Sequence, residues 1–404
     1  METNADYTKP LDLTEIRGQI DALDNELAAL FVRRMALCAE VAAYKKQTAK
    51  AVRDASRENA IVARLTDGLS EKDAKAVDAL YRTIFEISRA SQQELLAGDV
   101  KNSALYEELK NAMAHKTAFP ETPTVACQGV EGAYSSLACR KLFKQPEILY
   151  FKDFEGVFRS VESGLCRYGV LPFENSIHGS VTEVYDRLSS GRVKVAASVK
   201  LPIHHALLAA KGTSLDDITE IYSHKQAIGQ CSDFLTAHRH IKVNICENTA
   251  VAAKRVSESG RRDIAALSSE ACAALYGLDI LGRDLQNSDV NYTMFYCITK
   301  DLEIVGDVDK AAFMFNVPNR TGSLADVLGR FAAYGINLIK IESKPICGKD
   351  FEFMFYAEAD CKGLDEPLVR LLCELSESLE VFHLIGAYKE LAPEDTQAAK
   401  AVKA

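Results

Sequence analysis

The sequence predicts a multidomain protein with an all-helical first part and two α/β parts after it. Three observations support this prediction. The chain has 404 residues, which is too long for one ordinary hydrophobic core. Residues 11–97 contain no proline and carry apolar residues at helical spacing. Residues 124–300 and, on a smaller scale, 310–388 alternate short apolar runs with helical patterns, as α/β domains do.

Composition excludes several classes of protein. A net charge of −9 without any basic run argues against nucleic-acid binding, which requires clustered Lys and Arg. Residues 1–13 lack the apolar stretch of a secretory signal, and no run reaches the roughly 20 apolar residues that span a membrane. The eleven cysteines form no CxxC pair, so we expect free thiols and a cytoplasmic location. The histidines lack Cys or carboxylate partners at metal spacing, and neither a metal nor a cofactor is expected.

Changes in sequence character define the predicted boundaries. The helical part is assigned to residues 1–100 and the first α/β part to residues 124–300. Between them, residues 101–123 are polar, end in two prolines and are interpreted as a linker with a short helix near residues 105–113. The second α/β part is assigned to residues 301–391. Residues 392–404 have little to bury, so we expect a disordered tail.

The first helix is predicted over residues 11–46, where it would be about 54 Å long. Two shorter helices follow near residues 56–65 and 74–96. A helix this long protrudes from a domain of ~90 residues, which indicates dimerisation through helix exchange. Its apolar face consists of Leu13, Ile16, Ile20, Leu23, Leu27, Leu30 and Leu37.

Charged and polar residues share particular faces of these helices. Arg34 and Lys45 are eleven residues apart, so they return to nearly the same face of the first helix. Arg17 lies about 100° around the axis from Arg34, so a partner chain would have to supply it to a common pocket. Ser88 and Gln92 share one face of the third helix. The segment before the second helix brings together Asp54, Arg57 and Glu58. The alternative interpretation is a surface helix with ordinary salt bridges.

The patterns R-x16-R-x10-K, V-R-D-x-x-R-E and S-x3-Q-Q resemble the all-helical chorismate mutase family over nearly all of the first ninety residues. The resemblance implies that Arg17 of the partner chain and Arg34 hold the two carboxylates of chorismate. It also implies that Lys45 and Gln92 are catalytic and donate hydrogen bonds to the ether oxygen. A pericyclic rearrangement requires a bound compact conformer and positive charge at the breaking C–O bond, with no nucleophile. The residues implied to orient the ring, its hydroxyl and one carboxylate are Asp54, Arg57, Glu58 and Ser88.

Two segments of the middle part place polar groups beside helix starts. Residues 125–136 read as a strand, a glycine turn and a helix, which is either an anion cradle or a plain turn. In LPFENSIHGSVTEVYDRL, residues 171–188, a strand is followed by Glu174, Asn175 and Ser176 in a loop. The next helix begins with Ser180-x-x-Glu183, the spacing of a capping box. The alternative is that the polar residues only satisfy turn backbone groups.

Further polar residues follow in the same part. Ser223 and Gln230 are seven residues apart, which predicts that they share one helical face. Asn248 or Thr249 caps the helix predicted over residues 247–256. Thr293 stands at the start of an apolar strand.

In this order the motifs resemble prephenate dehydratase across about 175 residues. The resemblance implies two α/β lobes with the active site in the cleft between them. Glu174, Asn175, Ser223 and Gln230 then fall on substrate-binding positions, and Thr293 is the implied proton donor to the departing hydroxyl. The family usually has Thr-Arg-Phe where this chain has Thr293-Met294-Phe295. The open alternatives are a catalytically impaired, ligand-sensing domain and a preference for arogenate.

The last part has the element order βαββαβ, which predicts a ferredoxin-like fold. PNRTGSLADVL and IESKP resemble the ACT domain attached to dehydratases. The resemblance implies that phenylalanine binds between paired domains as a feedback inhibitor, and the alternative is a purely structural dimerisation domain. The candidate effector-binding residues are Asn319, Gly322, Ser323, Leu324, Ala325, Asn337, Glu342 and Ser343.

These resemblances together imply a bifunctional enzyme that converts chorismate to prephenate and prephenate to phenylpyruvate. Its expected partners are the two substrates and phenylalanine, with neither nucleic acid nor membrane among them. A homodimer or homotetramer is expected.

Overall fold

The structure is a computed structural model that describes residues 12–48, 54–96, 100–288, 290–319, 321–346 and 352–391. The predicted disordered tail, residues 392–404, lies outside these ranges. Within them no helix combines the length and apolar character needed to cross a membrane. The described cysteines are free thiols, and most of them are buried.

The N-terminal part is all helical, as predicted. It consists of α1 (Leu13–Thr48), α2 (Ala55–Thr66) and α3 (Glu71–Leu96). The Asp54 side chain caps α2 by accepting a hydrogen bond from the amide of Arg57 at 3.0 Å. Helix α1 packs against α3, yet its apolar residues stay exposed, with Leu23 at 65% and Leu30 at 63%. One copy of this domain therefore leaves the apolar face of its longest helix without cover.

The segment predicted as a linker contains a short 3-10 turn (Val100–Asn102) and helix α4 (Ala104–Ala114). Ser103 caps α4 by accepting a hydrogen bond from the amide of Tyr106. Leu105 and Leu109 of α4 are buried in the same hydrophobic cluster as Phe313 and Leu372 of the C-terminal domain. This segment is therefore packed into a domain that begins some two hundred residues further along the chain.

The middle part forms two lobes. The larger lobe begins with β1 (Thr124–Gln128), α5 (Tyr134–Leu142), β2 (Glu147–Phe151), α6 (Phe154–Glu162), β3 (Tyr168–Asn175), β4 (Gly179–Ser180), α7 (Thr182–Leu188) and β5 (Lys194–Pro202). Strands β1, β2 and β3 are parallel. Strands β1 and β3 carry near-continuous buried apolar residues, as expected of strands that have helices on their faces, whereas β2 at the edge of the sheet has no buried residue.

The chain then builds the smaller lobe. Its elements are β6 (Ala206–Ala209), a 3-10 turn (Leu215–Asp217), β7 (Glu220–His224), α8 (Lys225–Gln230), α9 (Ser232–Ala237), β8 (Lys242–Cys246), α10 (Thr249–Ser259), β9 (Ile264–Ser268), α11 (Ala271–Tyr276) and β10 (Asp279–Gly282). The strand order is β10-β6-β9-β7-β8. Strand β11 (Tyr292–Thr299) then returns to the larger lobe and pairs with both β3 and β5. The predicted two-lobed fold is confirmed.

The C-terminal domain has the predicted βαββαβ order. Its elements are β12 (Lys310–Asn316), α12 (Ser323–Ala333), β13 (Asn337–Pro345), β14 (Phe353–Asp360), α13 (Glu366–Ser378) and β15 (Phe382–Leu391). Strand β15 also pairs in parallel with β5 of the larger lobe, with Lys389 opposite Ala197 and Leu391 opposite Val199. A single ten-stranded sheet therefore runs through both domains in the order β13-β14-β12-β15-β5-β11-β3-β1-β2, with β4 attached to β3.

A buried polar cluster lies where the two domains share this sheet. The carboxylate of Glu358 on β14, 3% exposed, accepts hydrogen bonds from Tyr296 on β11 at 2.7 Å and from Tyr356. The Tyr388 hydroxyl lies 3.0 Å from that of Tyr296. Burial raises the pKa of all three phenols well above their ordinary value. The phenols therefore remain donors, and the cluster joins the two domains through satisfied hydrogen bonds.

Candidate active sites and the family of the chain

A pocket of about 390 Å³ lies among the three N-terminal helices, and we call it the helical pocket. Lys45 of α1 donates to Gln92 Oε1 of α3 at 3.2 Å, which leaves the Gln92 amide nitrogen as a donor for a ligand. Arg34 donates to the Ser88 hydroxyl, and its guanidinium lies over the Phe85 ring. The predicted residues that line the pocket are Arg34, Lys45, Asp54, Arg57, Glu58, Ser88 and Gln92.

The charge of the helical pocket is predominantly positive. Its lining includes four cations, Arg34, Lys45, Arg57 and Arg89, and two carboxylates, Asp54 and Glu58. Such a set favours an anionic ligand and offers many N–H donors. Arg89 was not predicted from the sequence, and it donates to both carboxylate oxygens of Glu58 at 2.8 Å.

Arg17 does not belong to the helical pocket of its own chain. It is exposed on α1, seventeen residues and about 25 Å along the helix from Arg34. The geometry agrees with the expectation that a pocket near Arg34 can receive Arg17 only from a second chain.

A second cavity, of about 350 Å³, lies between the two lobes of the middle part, and we call it the cleft. Asn175 at the end of β3 and Thr293 on β11 line it and are partners in the sheet. Asn175 Nδ2 donates to Thr293 Oγ1 at 3.0 Å. Because that bond occupies a lone pair of the hydroxyl oxygen, the Thr293 hydrogen is available to donate to a molecule in the cleft.

Two residues of the smaller lobe form the opposite wall of the cleft. Gln230 ends α8, and its Oε1 lies 2.8 Å from His205 Nε2. Among the described residues His205 Nδ1 is buried without a partner, and burial lowers the pKa of this imidazole. A hydrogen on Nδ1 would be an unpaired buried donor, so the neutral ring carries its proton on Nε2 and donates it to Gln230. The Gln230 amide nitrogen is then left as a donor for a ligand in the cleft.

The sequence does not predict a role for His205, because His204 and His205 are adjacent and only one of them faces the cleft. His204 is half exposed and pairs with Asp284 at 2.8 Å. The sequence signal that identifies His205 is its position just before the fully buried strand β6, where a polar side chain requires a partner.

Glu174 and Ser223 do not line the cleft, contrary to the prediction. The pairing of β3 with β11 shifts between Met294 and Phe295, and this bulge directs Glu174 to the opposite face of the sheet. There Glu174 pairs with Lys340 of β13 at 2.6 Å. Ser223 lies on strand β7 rather than on a helix with Gln230, and its buried hydroxyl donates to the Leu267 carbonyl at 2.7 Å.

The predicted capping box at residues 180–183 is also wrong. Ser180 lies in the short strand β4, and Val181 occupies the cap position of α7 without a side-chain hydrogen bond. The Ser180 hydroxyl instead donates to the Glu342 carboxylate of the C-terminal domain. The Asn248 cap of α10 is confirmed, since its side chain accepts from the amide of Val251 at 2.8 Å.

Met294 follows Thr293 but faces away from the cleft. It packs against the hydrophobic cluster that contains Phe173 and Tyr356 at the junction with the C-terminal domain. Met294 therefore contributes to the contact between domains and does not line the cleft.

The predicted effector residues of the C-terminal domain do not enclose a pocket within the described part of one chain. Gly322 adopts a left-handed φ of 86° and caps α12, while Ser323 is buried and Ala325 exposed. On β13 the side chains alternate, so Glu342 faces the larger lobe whereas Ser343 faces outward. The exposed set of predicted residues is Asn319, Ala325, Asn337 and Ser343, and the partly buried set is Gly322, Leu324 and Glu342.

Three family models match the chain in order. They are chorismate mutase type II over residues 16–93, prephenate dehydratase over residues 125–303 and ACT domain over residues 312–377. The bifunctional chorismate mutase/prephenate dehydratase of Enterobacter agglomerans is 31% identical over 384 residues, which cover 93% of this chain and 95% of that protein. The chain belongs to the bifunctional chorismate mutase/prephenate dehydratase family.

Two solved structures share the fold of the dehydratase and ACT domains. One is described as the quorum quenching acylase GqqA, with a TM-score of 0.60 and 29% identity over 66% of this chain and 98% of that chain. The other is the prephenate dehydratase of Arthrobacter aurescens in complex with L-Phe, with a TM-score of 0.60 and 24% identity, covering 69% of this chain and 96% of that chain.

As a member of this bifunctional family, the chain has chorismate mutase and prephenate dehydratase activities and serves phenylalanine biosynthesis. The helical pocket lies in the mutase domain, the cleft in the dehydratase domain, and the C-terminal domain is a regulatory ACT domain. The predicted fold class, family and both activities are confirmed.

Proposed function

We propose that the helical pocket is the chorismate mutase site. The observation that carries the proposal is the convergence of Arg34, Lys45 and Gln92 from two helices on one cation-rich cavity. Chorismate is a dianion whose breaking C–O bond develops negative charge on the ether oxygen. Lys45 and the Gln92 amide nitrogen would donate to that oxygen, while Arg34 would bind a carboxylate. Ser88, 3% exposed, orients the Arg34 guanidinium.

We also propose that a second chain completes this site. From Leu13 to Leu30 the exposed apolar residues of α1 follow one another at steps of three and four, the spacing of a helix that pairs along its length. Pairing of α1 with its copy would cover this stripe and bring Arg17 of the second chain to the pocket. A charge introduced by Leu23→Glu should then give a smaller assembly by sedimentation and remove mutase activity, while dehydration of added prephenate continues. A monomeric wild-type protein with full mutase activity would contradict this proposal.

For the dehydratase, we propose that prephenate binds in the cleft between Thr293 and Gln230. The supporting observation is the Asn175–Thr293 hydrogen bond, which leaves the Thr293 hydrogen for the substrate. A threonine hydroxyl is a weak acid, so its donated hydrogen bond would strengthen as the substrate hydroxyl departs. Loss of carbon dioxide and formation of the aromatic ring would supply the driving force. Asn175 positions Thr293, and Gln230 donates to the substrate from the opposite lobe.

We propose that phenylalanine is the effector and that it binds where two ACT domains meet. Asn337 and Ser343 lie on the outward face of β13, beside Ile339 and Ile341 at 44% and 45% exposure. A second domain placed on this face would cover those apolar side chains and enclose an amino acid next to Gly322. We further propose a cytoplasmic location, since the described cysteines are free thiols of the kind that persist in a reducing compartment.

Two substitutions test the assignment of sites. Arg34→Ala should reduce chorismate consumption by a factor of at least about 100 and leave the dehydration of added prephenate unchanged. Thr293→Ala should do the reverse. Loss of both activities in either folded variant would contradict two separate sites. Formation of phenylpyruvate from prephenate distinguishes an active dehydratase from a ligand-sensing domain, and the same assay with arogenate tests the remaining alternative.

A further inference from the structure

Arg89 of α3 bridges the mutase domain and the ACT domain. Its Nη1 donates to both carboxylate oxygens of Glu58 at 2.8 Å, and its Nη2 donates to Asp326 Oδ1 at 3.1 Å. The Arg89 side chain is 14% exposed, and both it and Glu58 line the helical pocket. One guanidinium is therefore shared between a residue of the mutase site and a residue of the regulatory domain.

The ACT end of this bridge lies next to the proposed effector site. Asp326 is in the first turn of α12, and its amide donates to the Gly322 carbonyl at 2.8 Å. Helix α12 also packs directly against α3. A ligand that changes the conformation at Gly322 would therefore act on the same helical turn that carries the Asp326 carboxylate.

We propose that Arg89 is a positioning residue of the mutase site, and that the amino-acid effector acts on the mutase by changing how Arg89 is shared between Glu58 and Asp326. The inference rests on the proposed roles of Glu58 and of the turn at Gly322. Arg89 is not part of the mutase motifs, and it provides a specific contact between the two domains.

Positioning by Arg89 has an electrostatic reason. Glu58 is a carboxylate in a pocket proposed to bind a dianion, so without a counter-charge it repels the substrate. Arg89 neutralises Glu58 and fixes its two oxygens, which leaves Arg34, Lys45 and Arg57 to attract the substrate. If the guanidinium moves towards Asp326, Glu58 loses its counter-charge and its fixed orientation, and the Michaelis constant for chorismate rises.

Three variants and one control test the proposal in the full chain. Arg89→Met removes both contacts, Arg89→Lys keeps the charge without the two-oxygen geometry, and Asp326→Asn removes only the regulatory contact. Arg82→Met is the matched control, because the exposed Arg82 is on the same helix and its one ion pair among the described residues is with Asp78 at 2.9 Å. Mutase and dehydratase rates are measured on each protein with and without phenylalanine.

Arg89→Met should raise the Michaelis constant for chorismate roughly ten- to a hundredfold, with a smaller change in kcat. Arg89→Lys should recover most of that loss because it restores the charge. If Arg89 had a purely structural role, both substitutions would lower the melting temperature, and the lysine variant would bind chorismate no better than the methionine variant. A Michaelis constant for Arg89→Met equal to that of the Arg82→Met control would overturn the positioning role.

Asp326→Asn should keep basal mutase activity within about twofold and abolish the effect of phenylalanine on the mutase. Its effect on the dehydratase should remain, which shows that the effector still binds. Two results would overturn the coupling between Asp326 and the mutase but not the positioning role of Arg89. One is that phenylalanine still inhibits the mutase of Asp326→Asn. The other is that phenylalanine affects the wild-type dehydratase but not the wild-type mutase. If phenylalanine affects neither activity of the wild type, the proposed regulation fails as well.

Discussion

Lys340 Nζ of the ACT domain lies 2.6 Å from Glu174 Oε2 of the dehydratase domain. Glu174 immediately precedes Asn175, which donates to Thr293 in the cleft. The same ammonium group lies over the rings of Phe173 and Tyr356, at 5.1 Å and 5.6 Å from their centroids. The regulatory domain thus contacts the residue next to the proposed dehydration site with a single, largely buried cation.

Replacement of Lys340 should therefore affect the dehydratase. We expect Lys340→Met to lower its kcat/KM by roughly three- to tenfold, because Glu174 loses its counter-ion and the end of β3 loses its support. Mutase activity in the same preparation should not change. Lys344→Met is the matched control, since Lys344 is on the same face of β13 and lies over Tyr185 instead. Equal effects of the two substitutions would contradict a specific role for Lys340.

Restoring the family's usual arginine at position 294 should not improve substrate binding. Met294 is the sheet partner of Glu174 and faces the ACT domain. An arginine there would compete with Lys340 for Glu174, so we expect Met294→Arg to change the Michaelis constant for prephenate by no more than about twofold. Met294→Leu serves as the control for volume. A large fall in the Michaelis constant for the arginine variant alone would show that this side chain reaches the substrate.

The His205–Gln230 contact should be required for dehydration. His205→Leu should lower dehydratase kcat/KM by about tenfold or more, because the Gln230 amide is no longer oriented. His205→Gln keeps an N–H donor near the same place and should retain part of the activity. In a Gln230→Ala background the His205→Leu substitution should have little further effect, as expected when one residue acts through another. Additive losses would indicate separate roles.

The same histidine gives a prediction about pH. Burial lowers the pKa of His205 below its ordinary value of 6.5, so the folded protein binds fewer protons than the unfolded chain around that value. The free energy of unfolding should therefore fall as the pH decreases through about 6.5. Urea titrations between pH 8 and pH 5 should show a shallower decline for His205→Gln. A partial decline should remain, because burial also lowers the pKa of His224 and of His383.

The buried carboxylate at the domain junction should contribute to stability. Glu358→Gln weakens the hydrogen bonds from Tyr296 and Tyr356 and should lower the free energy of unfolding by about 1–3 kcal/mol. Tyr388→Phe removes one more distant hydroxyl, 3.4 Å from Glu358, and should cost about 0.5–1.5 kcal/mol. Urea unfolding measures both. A Glu358→Gln protein as stable as the wild type would show that the cluster does not hold the domains together.

The sequence predicted the helical pocket well and the cleft less well, for a physical reason. Helical positions are fixed by a constant angle per residue, so the spacing of Arg34 and Lys45 was sufficient to place them together. In the cleft a bulge between β3 and β11 turns the Glu174 side chain to the opposite face of the sheet. The spacing of residues in the sequence does not reveal such a local change of register. Arg89 and Lys340 contact residues of another domain, and a contact between residues 237 positions apart, such as Arg89 with Asp326, has no local signal in the sequence.

The shared sheet also sets an order of events during synthesis. Strand β5 ends at residue 202 and its neighbour β15 ends at residue 391, so the ribosome adds about 190 residues between them, which takes roughly 10–40 s at typical rates. Throughout that interval one edge of β5 has no permanent partner. An unpaired edge is a template for pairing with another nascent chain. The last ten or so residues of the ACT domain therefore provide the strand that covers this edge of the dehydratase domain. A chain terminated just before them would lack the final strand of its regulatory domain, and its dehydratase domain would be prone to aggregation.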